Sequence, residues 1–394
     1  MQVDVKRTSQ GASSEVVRDI NRRLVLHLIR KRSPISRADL ARISGLQRST
    51  ISLIVEQLIE ERWVLEGPTG RLPRGRRPTY LRLDDERVII GADVRPIQTT
   101  VVLADASGRF LSQEVMNTPS DPDLAIHALI QSIQRMVSAS RGKKIEGIGI
   151  SLPGRFDHAR DRLVFAPNLK WHDLDIRNPI VKATGLEVEL ENAANACVLS
   201  AVWFDLTQSV RNLVVVTVSE GIGTGILVNG QLVRGSRGMA GEFGHVPLDA
   251  SGPVCGCGGR GCWEVFASNR AALRYYCECG APDSAIAFQE LLNRADRGDA
   301  RAEHAIRKMA EYLGKGMRMI AAGLAPERIF LVGDLTRSWD RFGPVIDAEV
   351  RAQTLPGGVP PEIVPVHEDG MARLRGTVAL ILQKHFGIGV EVPA

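Results

Sequence analysis

Ala240-Gly241-Glu242-Phe243-Gly244-His245 is followed, ten residues after the histidine, by Cys255-Gly256-Cys257-Gly258-Gly259-Arg260-Gly261-Cys262-Trp263-Glu264. Three thiolates and one imidazole complete a tetrahedral Zn²⁺ shell with no open position, which is the set typical of structural zinc, and the intervening glycines let the chain fold tightly around an ion. His245, Cys255, Cys257 and Cys262 are therefore the candidate metal ligands; the alternative is free thiols beside a core histidine. The chain has six cysteines in 394 residues and opens without a secretory leader, so a disulfide scaffold is not expected. Cys197, Cys277 and Cys279 fall on predicted helices away from any histidine partner and read as ordinary, partly buried cysteines.

Around this stretch the composition is that of a globular protein, with 44% apolar and 24% charged residues. The length favours two or three domains. The first residues, MQVDVKRTSQ, lack an apolar core, and no apolar run is long enough to span a bilayer. A cytoplasmic protein with no membrane partner is the expectation. The net charge of +5 is unevenly placed: residues 1–90 hold 18 of the 50 Lys+Arg and 11 of the 45 Asp+Glu, which gives +7 there and −2 in the remainder. Such asymmetry points to an acidic polymer as partner of the first segment, against the alternative of a solvated basic face.

That segment has its own pattern. Val17, Ile20, Leu24, Val25, Leu28 and Ile29 recur at helical spacing; Ser36 before Arg37-Ala38-Asp39 resembles a capping box, and Gly45 ends a short second helix. In 47–62, Ile51, Ile54, Val55, Leu58 and Ile59 form one apolar stripe. Two short strands, 63–66 and 79–83, then flank an Arg-rich tip. The order is that of a winged helix-turn-helix over residues 1–85. Gln47, Arg48, Ser49, Thr50 and Ser52 at the start of the third helix would meet base edges and phosphates in the major groove, and Arg74, Arg76 and Arg77 of the wing would enter a narrow A·T-rich minor groove.

From residue 88 apolar strands alternate with helices, which predicts an α/β body. Strand pairs at 88–94 with 100–104 and at 213–218 with 225–228 each open a helix-rich half and hint at an internal duplication. Gly221-Ile222-Gly223-Thr224-Gly225 follows a strand as a phosphate-cradling loop would, but by itself reads better as a β-turn requiring positive φ.

The His245 to Glu264 pattern resembles the signature of the ROK family of repressors, open reading frames and sugar kinases. Ala240–His245 resembles that family's AGExGH segment and Glu191-Asn192-Ala193-Ala194-Asn195-Ala196 its ENDANA segment, while Leu152-Pro153-Gly154 and Pro167-Asn168-Leu169 resemble its substrate-side loops. The resemblance implies an actin-like, hexokinase-type body of two lobes, 86–190 and 191–394, with a C-terminal helix packing back on the first lobe, and a homodimer or homotetramer. It makes Gly154, Asn168, Asn192, Glu242, His245 and Glu264 the sugar-site residues. It also implies a structural Zn²⁺, a palindromic operator in double-stranded DNA and a sugar or phosphosugar effector.

Three departures stand out. Ala193 occupies the place of the kinases' catalytic aspartate, and a methyl group cannot accept a proton. Asp93-Val94-Arg95-Pro96-Ile97 replaces a glycine-rich phosphate loop, and Val332-Gly333-Asp334-Leu335 carries an anion where a second nucleotide loop is expected. The reading is a sugar-responsive DNA-binding regulator without kinase activity or catalytic residues. The alternatives are an active sugar kinase with a DNA-binding appendage and a regulator whose degenerate site answers to a protein partner.

Overall fold

The structure is a computed structural model and describes residues 14–69, 79–157, 160–204, 210–280, 286–352, 358–366 and 371–386. The chain forms two compact units, Met1–Arg87 with Leu382–Ala394, and Val88–Ile381.

In the first unit the elements are α1 (Ser14–Arg32), β1 (Ile35–Ser36), α2 (Arg37–Ser44), α3 (Arg48–Glu60), β2 (Val64–Thr69) and β3 (Thr79–Leu83). Ser36 caps α2, its Oγ accepting from the Asp39 backbone N–H at 3.2 Å, and Gly45 closes that helix in the left-handed region at φ 71°. Leu24, Val25, Leu28 and Ile29 of α1 meet Ile51, Ile54, Val55 and Leu58 of α3 in a buried core, whereas Val17, expected on the same stripe, is 46% exposed in the first turn of α1. The three strands pair in the order β1-β3-β2, and Trp63 lies at 4.6 Å from the Phe386 ring beneath the Arg87 guanidinium. The wing residues Arg74, Arg76 and Arg77 lie outside the described residues.

The second unit holds two five-stranded sheets. The first is built from β4 (Arg87–Val94), β5 (Gln98–Asp105), β6 (Phe110–Asn117), β7 (Lys144–Leu152) and β11 (Val188–Asn192), with α4 (Pro122–Ala139) and α5 (Arg177–Thr184) in the connections; β8 (Arg155–Asp157), β9 (Arg162–Ala166) and β10 (Trp171–Leu174) form a small antiparallel sheet beside it. After α6 (Ala193–Trp203) the second sheet follows: β12 (Leu213–Val218), β13 (Ile222–Val228), β14 (Gln231–Leu232), β15 (Arg328–Val332) and β16 (Glu362–Val366). Its helices are α7 (Trp263–Ala267), α8 (Asn269–Glu278), α9 (Phe288–Asp296), α10 (Ala300–Leu324) and α11 (Trp339–Arg351), and α12 (Met371–Phe386) ends the described chain.

The strand orders, β6-β5-β4-β7-β11 and β14-β13-β12-β15-β16, are the same when counted from the first strand of each sheet, so the duplication hinted at by the strand pairs is present in the topology. All eight residues of β4 and all six of β12 are buried, as central strands covered on both faces must be. The glycines of the first sheet admit α12: a Cβ at Gly91 or Gly149 would overlap Thr377. This brings the start of α12 to the strand ends that carry the site.

Candidate functional site

A cavity of about 350 Å³ opens where the ends of β4, β7 and β11 face those of β12 and β13. Gly154, Asn168, Asn192, Glu242, His245 and Glu264 all line it, so the structure brings together in one place six residues that the sequence scatters over 111 positions. Each is held by local geometry. Asn192 caps α6, its Oδ1 accepting from the Ala194 N–H at 2.8 Å, while its Nδ2 donates to the Gly154 carbonyl at 2.9 Å. One amide hydrogen is left for a ligand. Glu191 beside it is 1% exposed and fully engaged, by Asn195 at 3.0 Å, by its neighbour's backbone N–H at 2.9 Å and by Arg234 at 2.8 Å.

Glu264 stands in the first turn of α7, anchored by the fully buried Trp263, whose indole N–H donates to the Tyr312 carbonyl at 2.9 Å. Its Oε2 accepts from the Ile222 backbone N–H at 3.0 Å. This contact explains the glycines of the β12–β13 turn differently from the expectation of positive φ: Gly221, Gly223 and Gly225 take none. A Cβ at Gly221 would overlap the Glu264 carboxylate, and one at Gly225 would meet the Ala194 backbone. Close approach is what this turn requires. Burial pushes the Glu242 carboxyl above its ordinary range, opposed by His245 and Arg155.

The metal-type residues also converge. The ligand atoms of His245, Cys255, Cys257 and Cys262 all lie within 4.8 Å of one another. Cys257 Sγ is 3.7 Å from Cys262 Sγ, too far for a disulfide, and His245 Nδ1 is 3.6 Å from Cys255 Sγ. A tetrahedron drawn at zinc-to-ligand distances has sulfur–sulfur edges of about 3.8 Å and sulfur–nitrogen edges of about 3.6 Å. The four side chains can hold a metal ion. Cys277 and Cys279 are half-buried, as the sequence suggested, whereas Cys197, expected to be partly buried, is fully buried.

In the N-terminal unit, Gln47, Arg48 and Ser49 are exposed, Thr50 and Ser52 half-buried, and among the described residues none of the five is engaged by a side-chain hydrogen bond. The polar start of α3 is therefore solvent-exposed at its first three positions.

The ROK family model matches residues 89–384. The chain belongs to the ROK family. It is 31% identical over 382 residues to the xylose repressor of Bacillus spizizenii, covering 95% of this chain and 98% of that protein. Among solved structures, a ROK family transcriptional regulator described as a homologue of the Escherichia coli MLC protein superposes with a TM-score of 0.78 at 25% identity, over 94% of this chain and 99% of the other. A ROK glucokinase from Streptomyces griseus, in complex with glucose and AMPPNP, superposes with a TM-score of 0.68 at 27% identity, over 75% of this chain and 99% of the other. The N-terminal helices lie outside the matched ROK segment, and the mixed α/β body is of the hexokinase type.

Within the ROK body, Ala193 opens α6 at the cavity wall and is 9% exposed. Asp93 turns one oxygen to Ser151 Oγ at 2.6 Å and the other to Arg95 Nε at 2.7 Å. Arg155, Glu220 and Arg373 also line the cavity, and sequence reasoning did not single them out. Arg155 directly follows a motif and could have been found by extending it. Arg373, 219 positions from Gly154, carries no local signal.

Proposed function

We propose that this protein is a sugar-responsive transcriptional repressor whose N-terminal unit binds operator DNA and whose ROK body binds the effector. The observation that carries the reading is the convergence of Asn168, Asn192, Glu242, His245 and Glu264 on one cavity. Carboxylates and amides at fixed positions match the alternating donors and acceptors of a sugar, and reject analogues that leave them unpaired. The nearly full-length likeness to a xylose repressor supports the same reading.

His245, Cys255, Cys257 and Cys262 hold a structural Zn²⁺ in this reading, which supplies a cross-link in a glycine-rich loop otherwise held by backbone hydrogen bonds such as Cys255 N–H to the Gly259 carbonyl. His245 ligates through Nδ1 and keeps Nε2, 3.8 Å from Glu242 Oε2, toward the effector. Gln47, Arg48, Ser49, Thr50 and Ser52 read the major groove, with Arg74, Arg76 and Arg77 in the minor groove. A homodimer or homotetramer would present such units to a palindromic, A·T-rich operator. Effector control requires that the sugar bind two domain arrangements unequally, because equal affinity shifts nothing.

Phosphoryl transfer is not part of this function. Ala193 offers no base, and Pro96 with the Asp93–Arg95 pair occupies the turn where phosphates would need close backbone approach. The test is binding of the full-length protein to a duplex from the promoter region of its own gene, titrated with xylose, glucose and N-acetylglucosamine. Tight binding at low salt that one sugar weakens supports the reading; no binding to any such duplex overturns it.

A further inference from the structure

Glu191 in β11 and Arg234, two residues beyond β14, join the two five-stranded sheets by an ion pair at the cavity. Arg234 Nε and Nη2 both donate to Glu191 Oε2, at 2.9 and 2.8 Å. The other oxygen, Oε1, is turned to the start of α6, where it accepts from the Asn192 backbone N–H and from Asn195 Nδ2. Glu191 thus lines the cavity with both oxygens engaged inside the protein, and its effect on a ligand must pass through what it holds. On one side that is Asn192. On the other it is Arg234, which begins a segment whose residues 238–242 line the cavity and end in Glu242.

That segment has little regular structure of its own. Gly235, Arg237, Gly238 and Gly241 take positive φ, and only one 3₁₀ turn, Ser236–Gly238, interrupts the irregular chain between Arg234 and Gly241. The Ala240 N–H donates to the Arg234 carbonyl at 3.0 Å, so a constraint at residue 234 passes directly to residue 240. From the second sheet the Thr224 hydroxyl donates to the Gly241 carbonyl. From the side of the first sheet, Arg155 Nη1 meets Met239 Sδ at 3.0 Å, and a thioether is a weak acceptor. The charge-assisted pair of Glu191 with Arg234 is therefore the strong tie on that side. We propose that Arg234 is a positioning residue of the effector site: through Glu191 it fixes the 234–242 segment against β11 and so sets the spacing between Asn192 and Glu242 that a ligand must span. A guanidinium suits the task, because its rigid fork brings two N–H groups to one oxygen where an ammonium brings a mobile point charge. A carboxylate displaced by about 0.5 Å or more loses the geometry its hydrogen bonds need. The effector half of this inference rests on the reading proposed above; the tie rests on the ion pair.

The experiment combines calorimetric titration of the full-length protein with xylose, glucose and N-acetylglucosamine, thermal melts, and hydrogen exchange across 235–242. Arg234→Met weakens the sugar that the wild type binds by roughly tenfold or more, the loss expected when a charge-assisted hydrogen bond is misplaced, and raises exchange across the segment. Arg234→Lys keeps the charge and recovers part of the affinity. Glu191→Gln combined with Arg234→Met binds no more weakly than Arg234→Met alone, since both changes break one tie. If Arg234→Met fails to fold because Glu191 is left buried without a counter-charge, the double variant, which removes both charges, carries the comparison. Asp299→Ala, a helix cap lost outside the cavity lining, lowers Tm and leaves sugar affinity unchanged. Sugar affinity unchanged in folded Arg234→Met, or an equal loss in Asp299→Ala, overturns the positioning role and leaves sugar sensing standing. If the wild type binds none of the three sugars, the sugar reading falls and exchange alone decides the tie: faster exchange in Arg234→Met supports it, and unchanged exchange overturns it.

Discussion

His245 Nδ1 lies 3.6 Å from Cys255 Sγ, and the opposite ring nitrogen of the same imidazole points at the cleft. One side chain therefore belongs to both the thiol cluster and the proposed effector site. Elemental analysis is expected to find one zinc per chain. Cys257→Ser removes the exposed member of the ligand set and is expected to destabilise the body by about 2 kcal/mol, a fall in Tm of roughly 3 °C for a unit of this size. It should weaken the sugar response together with the melting temperature, because His245 loses the ion that orients it. A variant that melts like the wild type and carries no zinc would remove the metal from the account.

Asn192 joins two structural bonds to its proposed ligand contact. Asn192→Ala frees the Ala194 N–H at the start of α6 and releases the Gly154 carbonyl, so a loss of about 1 kcal/mol is expected from the cap alone. Asn192→Asp keeps the cap and loses the bond to Gly154. Sugar binding in the two variants, compared by calorimetry against their thermal melts, separates the contact from the cap: both should bind more weakly, and Asn192→Asp should melt closer to the wild type.

What the sequence made legible was the chemistry that needs fixed spacing. His245 and the three cysteines require short, glycine-filled separations, and Ser36 and Gly45 mark the ends of α2 by local rules, so each was readable without a tertiary structure. Residues that act through the fold were not. Arg373 reaches the cavity only because α12 packs over Gly91 and Gly149. Gly221 had a legible identity and an illegible reason, since its backbone is ordinary and the constraint is a carboxylate 43 residues onward. The strands β8 to β10 are short, and β8 and β10 alternate weakly, so periodicity did not set them apart from loop.

Arg48 opens α3 exposed, with no side-chain partner among the described residues. Arg48→Ala is expected to leave the melting temperature unchanged and to weaken operator binding at every sequence, reducing the slope of log K against log salt by about 1 if the contact is to a phosphate. Gel-shift titrations at several salt concentrations measure that slope. A loss confined to one operator sequence, with the slope unchanged, would assign Arg48 to a base.

Asp299 caps α10, its Oδ1 accepting from the Arg301 N–H at 2.9 Å and its Oδ2 from the Tyr276 hydroxyl at 2.8 Å. The Tyr276 hydrogen bond, more than any other influence, holds the carboxyl below its ordinary value of 3.8. A depressed carboxylate contributes stability that is fully present above that ordinary value and is lost as pH falls through the folded one. Asp299→Ala should therefore destabilise the protein at pH 7 by the amount of a lost cap, about 1 kcal/mol, with a lower Tm, and the difference from wild type should shrink below roughly pH 4. Melts of the two proteins from pH 7 to pH 3 check the sign.

Ala193 begins α6 at the cavity wall, where its methyl group can take no proton. An ATP-coupled assay over glucose, xylose and N-acetylglucosamine is therefore expected to show no turnover in the wild type. Ala193→Asp restores a carboxylate at that place, yet it leaves Pro96 and the Asp93–Arg95 pair where a phosphate loop would need open backbone. The single variant should stay inactive for that reason, while its sugar affinity changes through the added charge. Turnover in Ala193→Asp alone would show that the β4 turn does not block nucleotide. Turnover in the wild type would place the base elsewhere and favour the kinase reading.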